Sequence, residues 1–151
     1  MTIYRRILAV LDLTDDSRDV ARRAAAVMQS CGGAELELLH VVEYVPVEPL
    51  SDSLLPSVQI EGELIERSRK KLDELAAQIG LPGIPRHVEA GNVKAEIVRV
   101  ARERRADLIV IGSRERHGLS ILVNLTEDTV LHAAPCDVLA VRLAPLPKAP
   151  A

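Results

Sequence analysis

The sequence contains no phenylalanine and no tryptophan, and its only tyrosines are Tyr4 and Tyr44. Because 48% of the 151 residues are hydrophobic, the interior must be built from Leu, Ile, Val and Ala side chains. Aliphatic interiors of this kind are typical of parallel sheets that are covered by helices. The lack of aromatic side chains also removes the platforms on which proteins stack unpaired bases.

An excess of positive charge is also missing, since 19 Lys and Arg face 22 Asp and Glu. We therefore expect no nucleic-acid partner. Cys31 and Cys136 form neither a Cys-x-x-Cys pair nor a zinc-binding spacing. No apolar run approaches the roughly 18 residues that span a bilayer, and no signal-peptide cleavage pattern follows Met1. These absences predict a cytoplasmic protein with reduced thiols and no membrane insertion.

The hydrophobic pattern alternates between strand and helix along the chain. Apolar runs predict strands at 6–11, 36–42, 84–89, 107–111 and 137–143, the third of them near a sheet edge. Helical periodicity covers 17–31, 58–79, 92–101 and 119–132, and prolines predict an extended loop over 44–57. This order predicts an α/β fold, a doubly wound five-stranded parallel sheet with helices on both faces. We expect one domain, 1–143, and a disordered Pro-rich tail, 144–151.

Ligands of such sheets bind beyond the carboxyl ends of the strands, where the strand order reverses. This rule selects two loops, 12–17 after the first strand and 112–118 after the fourth. Asp12 is a candidate for binding a ribose hydroxyl or a metal-bound water, and equally for orienting the first helix. Gly112 and Ser113 are candidates for cradling a phosphate, because glycine admits close backbone approach. An ordinary solvated loop is the alternative.

Catalytic signatures are missing. The four histidines have no local metal-binding spacing, and no Gly-x-Ser-x-Gly nucleophile elbow occurs. We expect structural roles for His40, in a buried strand, and for His132, near a helix end. Cys136 follows Ala-Pro at the start of a strand, which indicates an inert buried thiol. The sequence therefore predicts neither catalytic residues nor a metal site.

Five segments in order resemble the universal stress protein family. They are RILAVLDLT at 6–14, LLHVV at 38–42, ADLIVIGS at 106–113, GLS at 118–120 and VLHAAPCDVLAVR at 130–142. The resemblance implies an adenine nucleotide alpha hydrolase-like fold with strand order 3-2-1-4-5. It also implies stress-linked expression and a homodimer formed through antiparallel pairing of the last strand, 138–143. An unpaired apolar edge strand permits such a dimer.

The resemblance also provides a nucleotide-site comparison. ATP-binding members of the family carry Gly-x-x-Gly-x9-Gly-Ser/Thr after the fourth strand. Gly112 matches the first glycine, but Glu115 takes the second position, and Leu125 and Thr126 take the final pair. A carboxylate at 115 would repel a polyphosphate. Further candidate nucleotide contacts that the resemblance implies are Val10, Asp12 and Val41 on the adenosine side.

These observations predict a non-enzymatic, cytoplasmic, dimeric stress protein of the UspA-like type, acting by binding an unknown protein partner or a small molecule. The alternative is a regulatory protein that binds ATP or AMP in the crevice between the two loops, with Mg²⁺ accompanying ATP. A weak ATP hydrolase has the least support, because no residue is identifiable as a base that positions water.

Overall fold

The computed structural model describes residues 3–43, 54–114 and 130–143, and leaves out the side chains of 54–59 and 114. Its strands are β1 (Arg6–Val10), β2 (Glu35–Glu43), β3 (Arg86–Gly91), β4 (Leu108–Arg114) and β5 (Asp137–Leu143). Its helices are α1 (Ser17–Ser30), α2 (Leu54–Gln78) and α3 (Val93–Glu103). The strands form one parallel sheet in the order β3-β2-β1-β4-β5, which confirms the predicted doubly wound fold and its strand order.

Alternate side chains along each strand pack on opposite faces of the sheet. One face packs against α1 and α2 and includes Ile7, Ala9, Leu36, Leu38 and Val110. The other packs against α3 and includes Leu8, Val10, Leu39, Val41 and Ile111. The largest fully buried side chains among the described residues are all Leu, Ile or Val. The aliphatic interior predicted from the missing aromatics is therefore confirmed.

The predicted boundaries of three elements are wrong, and the third strand, expected at 84–89, is observed at Arg86–Gly91. Helix α2 begins at Leu54, so residues 54–57 are helical rather than part of an extended loop. Pro56 is tolerated there because N–H groups in the first turn of a helix have no partner within the helix. Strand β4 continues to Arg114, so Gly112 and Ser113 belong to a strand that pairs with β5 instead of to a polar loop.

Other predicted segments fall on parts of the chain outside the described residues. These segments are 44–53, 115–129 and the tail 144–151. The predicted helix 119–132 is described only from Val130, where the chain is helical and the Ala134 N–H donates to the Val130 carbonyl. The predicted edge position of the third strand is confirmed, since β3 is the first strand of the sheet.

Polar side chains hold the amino ends of the strands together. The Asp107 carboxylate accepts hydrogen bonds from the backbone N–H groups of Arg5 (2.8 Å) and Arg6 (3.0 Å). The Tyr4 hydroxyl donates to Asp137 Oδ2 at 3.0 Å. These bonds connect the segment before β1 with the starts of β4 and β5, at the end of the sheet opposite to the carboxyl edge.

A second polar cluster lies near the same end, on the face that α3 covers. Glu37 on β2 accepts from the Arg104 guanidinium through both carboxylate oxygens, and His87 Nε2 lies 3.5 Å from Glu37 Oε1. The Glu37 side chain is only 14% exposed. Burial acts to raise the pKa of Glu37, but the bonds and charge of Arg104, with a smaller effect of His87, hold that pKa below its ordinary value.

Candidate functional site

The strand register brings candidate site residues to one edge of the sheet. Val10, the last residue of β1, pairs with Leu39 on β2 and with Ile111 on β4. Two residues further along each chain segment come Asp12, Val41 and Ser113. Because parallel strands advance together, these three residues reach the same level at the carboxyl edge, one from each of three neighbouring strands. The strand register therefore places Val41 and Ser113 at the same end of the sheet as Asp12, beyond the last paired residue of β1.

Asp12 organises the loop that follows β1. Its Oδ1 atom accepts hydrogen bonds from the Thr14 N–H (3.0 Å), the Thr14 hydroxyl (2.7 Å) and the Ser17 hydroxyl (2.8 Å). Ser17, the first residue of α1, is 3% exposed. The N-cap of α1 is Asp16, whose side chain makes no capping bond. Asp12 thus orients the first helix through its loop rather than by capping it.

The same loop holds an uncommon backbone conformation. Leu13 has φ +61, in the left-handed region that residues other than glycine, asparagine and aspartate rarely adopt. Its side chain packs against the buried cluster below α1. The hydrogen bonds from Thr14 and Ser17 to Asp12 Oδ1 connect the residues on either side of Leu13 and stabilise the turn. Strained backbone of this kind is concentrated at functional sites, which supports assigning a role to the loop.

The Asp12 carboxylate is kept charged. Burial acts to raise its pKa, but the hydrogen bonds from Thr14 and Ser17 outweigh burial and lower the pKa from its ordinary value. At neutral pH the group is therefore an anion that only accepts hydrogen bonds. The three donors from Thr14 and Ser17 all contact Oδ1. Oδ2 can accept a hydrogen bond from a hydroxyl group or contact a cation.

Val10 and Val41 have different roles from Asp12. Both side chains are buried, at 8% and 7% exposure, in the cluster beneath α3. Val10 therefore contributes apolar surface beneath the carboxyl edge of the sheet. Val41 can present only its backbone N–H and C=O groups to a ligand, because its side chain is occupied by packing.

Gly112 lies on the opposite face from Val10 and Val41. A Cβ atom at this position would come within 2.9 Å of Leu143 Cδ1 and 3.1 Å of Val20 Cγ2. The glycine is therefore explained by close packing between β4, β5 and α1, without any phosphate. Strand alternation places Ser113 on the α3 face, with Val10. Glu115, Leu125 and Thr126, the other residues of the compared motif, lie outside the described residues.

His40 was predicted to be structural, and the structure gives it a specific contact at this edge. Its Nδ1 lies 2.7 Å from the carbonyl oxygen of Leu11, the residue before Asp12. A single histidine in an apolar strand carries no spacing signal that points to such a bond. The contact becomes visible only when β2 is placed beside β1.

The described residues show no other strong candidate site. They contain no group of three or more His, Cys, Asp or Glu side chains that could hold a metal ion. A groove of about 400 Å³ runs between α2 and β3, lined by Arg69, Leu72, Asp73 and the β3 residues 86–89, two strands away from β1. Burial, with the charges of Asp137 and Asp107, raises the pKa of the Cys136 thiol to about 11, in agreement with an inert thiol.

Comparisons with known proteins agree on one family. The universal stress protein family model matches residues 3–142. Universal stress protein A homolog 1 of Coxiella burnetii is 37% identical over 139 residues, covering 91% of this chain and 96% of the relative. Within the part of the chain that the structure describes, no helix is both long and apolar enough to cross a membrane.

Solved structures show the same fold. Universal stress protein UspA from Lactobacillus plantarum superposes with a TM-score of 0.70 at 24% identity, covering 92% of this chain and 98% of its own. A universal stress protein solved in complex with cAMP gives a TM-score of 0.63 at 22% identity, with coverage of 91% and 96%. At these identities the likeness concerns the fold.

Proposed function

Since this chain belongs to the universal stress protein family, we propose that it is a non-enzymatic stress-response protein that binds an adenine mononucleotide at the carboxyl edge of β1. The observation that carries the proposal is Asp12. Its carboxylate is charged and is held in place by three hydrogen bonds from Thr14 and Ser17, all to Oδ1. It lies at the switch point of the strand order, where ligands of doubly wound sheets bind.

Each part of a nucleotide has a chemically suitable partner at this edge. Asp12 Oδ2 accepts a hydrogen bond from a ribose hydroxyl. The Val41 backbone N–H and C=O suit the donor and acceptor edge of adenine, and Val10 lies beneath. Ser113 supplies a hydroxyl on the same face for a phosphate. The related protein solved with cAMP supports a small adenine nucleotide as the ligand class.

A monophosphate is favoured over ATP. Glu115 and Leu125 replace two glycines of the family's ATP motif, and a carboxylate at 115 opposes added negative charge. The packing of Leu143 and Val20 against Gly112 explains the remaining glycine without a phosphate. If ATP does bind, Asp12 Oδ2 is suited to contact the Mg²⁺ ion that accompanies it. Proteins usually hold this cation by one or two carboxylates together with the phosphates of the nucleotide.

The chemistry of Asp12 also favours binding over hydrolysis. A carboxylate with a lowered pKa is a weak base for activating water, since general bases work best near the operating pH. Slow ATP hydrolysis would be supported if turnover disappeared in Asp12→Ala while ATP binding persisted. We propose that no such turnover occurs.

Thermal unfolding of the purified protein tests nucleotide binding. AMP, cAMP, ATP with Mg²⁺, and GMP as a base control are each added at millimolar concentration. A ligand at about 100 times its Kd adds roughly 2.7 kcal/mol, which raises Tm by about 5–10 °C for a chain of this size. We expect this rise with AMP in the wild type and its loss in Asp12→Asn. An unchanged Tm with every adenine nucleotide would reject the proposal.

A second candidate function is binding of a protein partner without any nucleotide, as in the UspA-like type. The substitutions at Glu115 and Leu125 favour it, because they remove glycines from the ATP motif. It becomes the leading function if no adenine nucleotide changes Tm while the protein remains folded and dimeric.

We propose a homodimer formed by antiparallel pairing of β5, through residues 138–143. In support, β5 is the last strand of the sheet and bears the exposed Ala140 between the half-buried Leu139 and the buried Val141. Ala140→Arg would place two like charges close together across the two-fold axis. Sedimentation equilibrium should show at least a tenfold weaker dimer for this variant, and no change for Ala26→Arg on α1. A monomeric wild type would contradict the proposal.

Cytoplasmic location is part of the same proposal, supported by the free thiols of Cys31 and Cys136.

A further inference from the structure

We infer that His40 is a positioning residue of this edge, which sets the Asp12 loop and the Val41 backbone through its bond to the Leu11 carbonyl. The part of the inference that concerns ligand affinity rests on the proposed nucleotide site. The part that concerns the loop does not, because it follows from contacts within the chain.

The bond defines the state of the imidazole. His40 Nδ1 lies 2.7 Å from the Leu11 oxygen, and a carbonyl oxygen can only accept, so Nδ1 carries the proton and donates. His40 alternates with Leu36 and Leu38 on β2 and therefore lies on the face that α1 and α2 cover. The contact is partly buried, which makes loss of the donor costly for the carbonyl.

The bond also marks where the ladder between β1 and β2 ends. The Leu11 N–H still donates to the Leu39 carbonyl at 2.8 Å. In a parallel ladder that continued, the Leu11 carbonyl would accept from the Val41 N–H. Here the carbonyl accepts from the His40 side chain instead. The backbone groups of Val41 point toward β1, as those of Leu39 do, but lie beyond the last ladder bond of β1.

The histidine therefore acts on both sides of the proposed site. It holds the peptide between Leu11 and Asp12, directly before Leu13 turns to φ +61 and the Asp12 carboxylate closes the loop. On the other side, it donates to the carbonyl that would accept from the Val41 N–H in a continued ladder. Without the imidazole, the Leu11 carbonyl loses this donor, and Asp12 and the Val41 backbone are expected to lose their fixed positions.

The test compares three substitutions at residue 40. Asparagine places its side-chain N–H close to the position of Nδ1, whereas leucine has no donor and glutamine carries its amide one bond too far. His87→Leu, at a half-buried histidine on β3, is the matched control. We expect His40→Leu and His40→Gln to weaken AMP binding at least tenfold by calorimetry, and His40→Asn to remain within about threefold of the wild type.

A measurement without ligand separates this inference from the nucleotide proposal. Amide hydrogen exchange of Thr14, whose N–H donates to Asp12 Oδ1, should accelerate at least tenfold in His40→Leu and His40→Gln, but not in His40→Asn or His87→Leu. Equal exchange in all variants would overturn the inference, whether or not AMP binds. Failure of the wild type to bind AMP, with accelerated Thr14 exchange, would reject the nucleotide proposal and retain the positioning role. Urea unfolding confirms that each compared variant is folded.

Discussion

Gly112 on β4 and Leu143 at the end of β5 are packed so closely that a Cβ atom on residue 112 would lie 2.9 Å from Leu143 Cδ1. Val20 of α1 closes the other side at 3.1 Å. A glycine that matches a phosphate-binding motif thus has a packing reason to be glycine. Its presence alone does not indicate a phosphate, and the strongest described ligand group at this edge is Asp12.

Gly112→Ala should destabilise the protein by about 1 kcal/mol, because the added methyl group requires the end of the Leu143 side chain and the buried Val20 to shift. Urea unfolding measures the change. Gly83→Ala is the matched control, since a Cβ there meets nothing within 4 Å, and should cost less than about 0.5 kcal/mol. Adding Leu143→Ala to Gly112→Ala should give less destabilisation than the sum of the two single changes. Additive costs would show that the two side chains do not compete for space.

Asp12→Asn should change how stability depends on pH. The folded-state pKa of Asp12 is lowered, so its contribution to stability is fully present above the unfolded-state pKa of about 4 and is lost as pH falls through the folded-state pKa. Wild type should therefore be more stable than Asp12→Asn at neutral pH, and the difference should shrink below about pH 4. Urea unfolding from pH 2 to 7 measures it, with Asp15→Asn controlling for net charge. A difference independent of pH would contradict the prediction.

Glu37 and Arg104 should be energetically coupled. Glu37 is 14% exposed and accepts from Arg104 through both oxygens, so removing one partner leaves a poorly solvated group. A double-mutant cycle with Glu37→Gln and Arg104→Gln should yield a coupling energy of about 1–2 kcal/mol. The exposed pair Arg69–Glu66, at 3.6 Å, should yield less than about 0.5 kcal/mol. A similar coupling energy for both pairs would show that burial does not strengthen the first.

Cys136 should react slowly with disulfide reagents. Burial and the nearby carboxylates of Asp137 and Asp107 raise the pKa of its thiol to about 11, so little thiolate is present at pH 8. In a Cys31→Ser variant, the remaining thiol should react with Ellman's reagent on the order of 100-fold more slowly than glutathione. The rate should rise steeply up to about pH 11. Rapid reaction at pH 8 in the folded protein would contradict this assignment, and urea provides the unfolded reference.

The sequence alone determined the fold class, because its signals are local and repeated. Continuous aliphatic runs such as 7–11 are typical of strands that are buried on both faces, and their alternation with helical periodicity leaves few topologies. The same locality explains the boundary errors. Whether residues 112–114 form strand or loop depends on β5 lying alongside to pair with them, which no local window contains.

The tertiary structure alone decided what the site residues do. Asp12 was identifiable because it follows an apolar strand, but its three bonds depend on how the chain turns at Leu13. Gly112 acquired a packing role only when Leu143, 31 residues later, came beside it. His40 gained its bond to Leu11, 29 residues earlier, in the same way. Periodicity reports which side chains avoid water, whereas hydrogen bonds and close contacts depend on distances between segments remote in sequence, which only the assembled sheet defines.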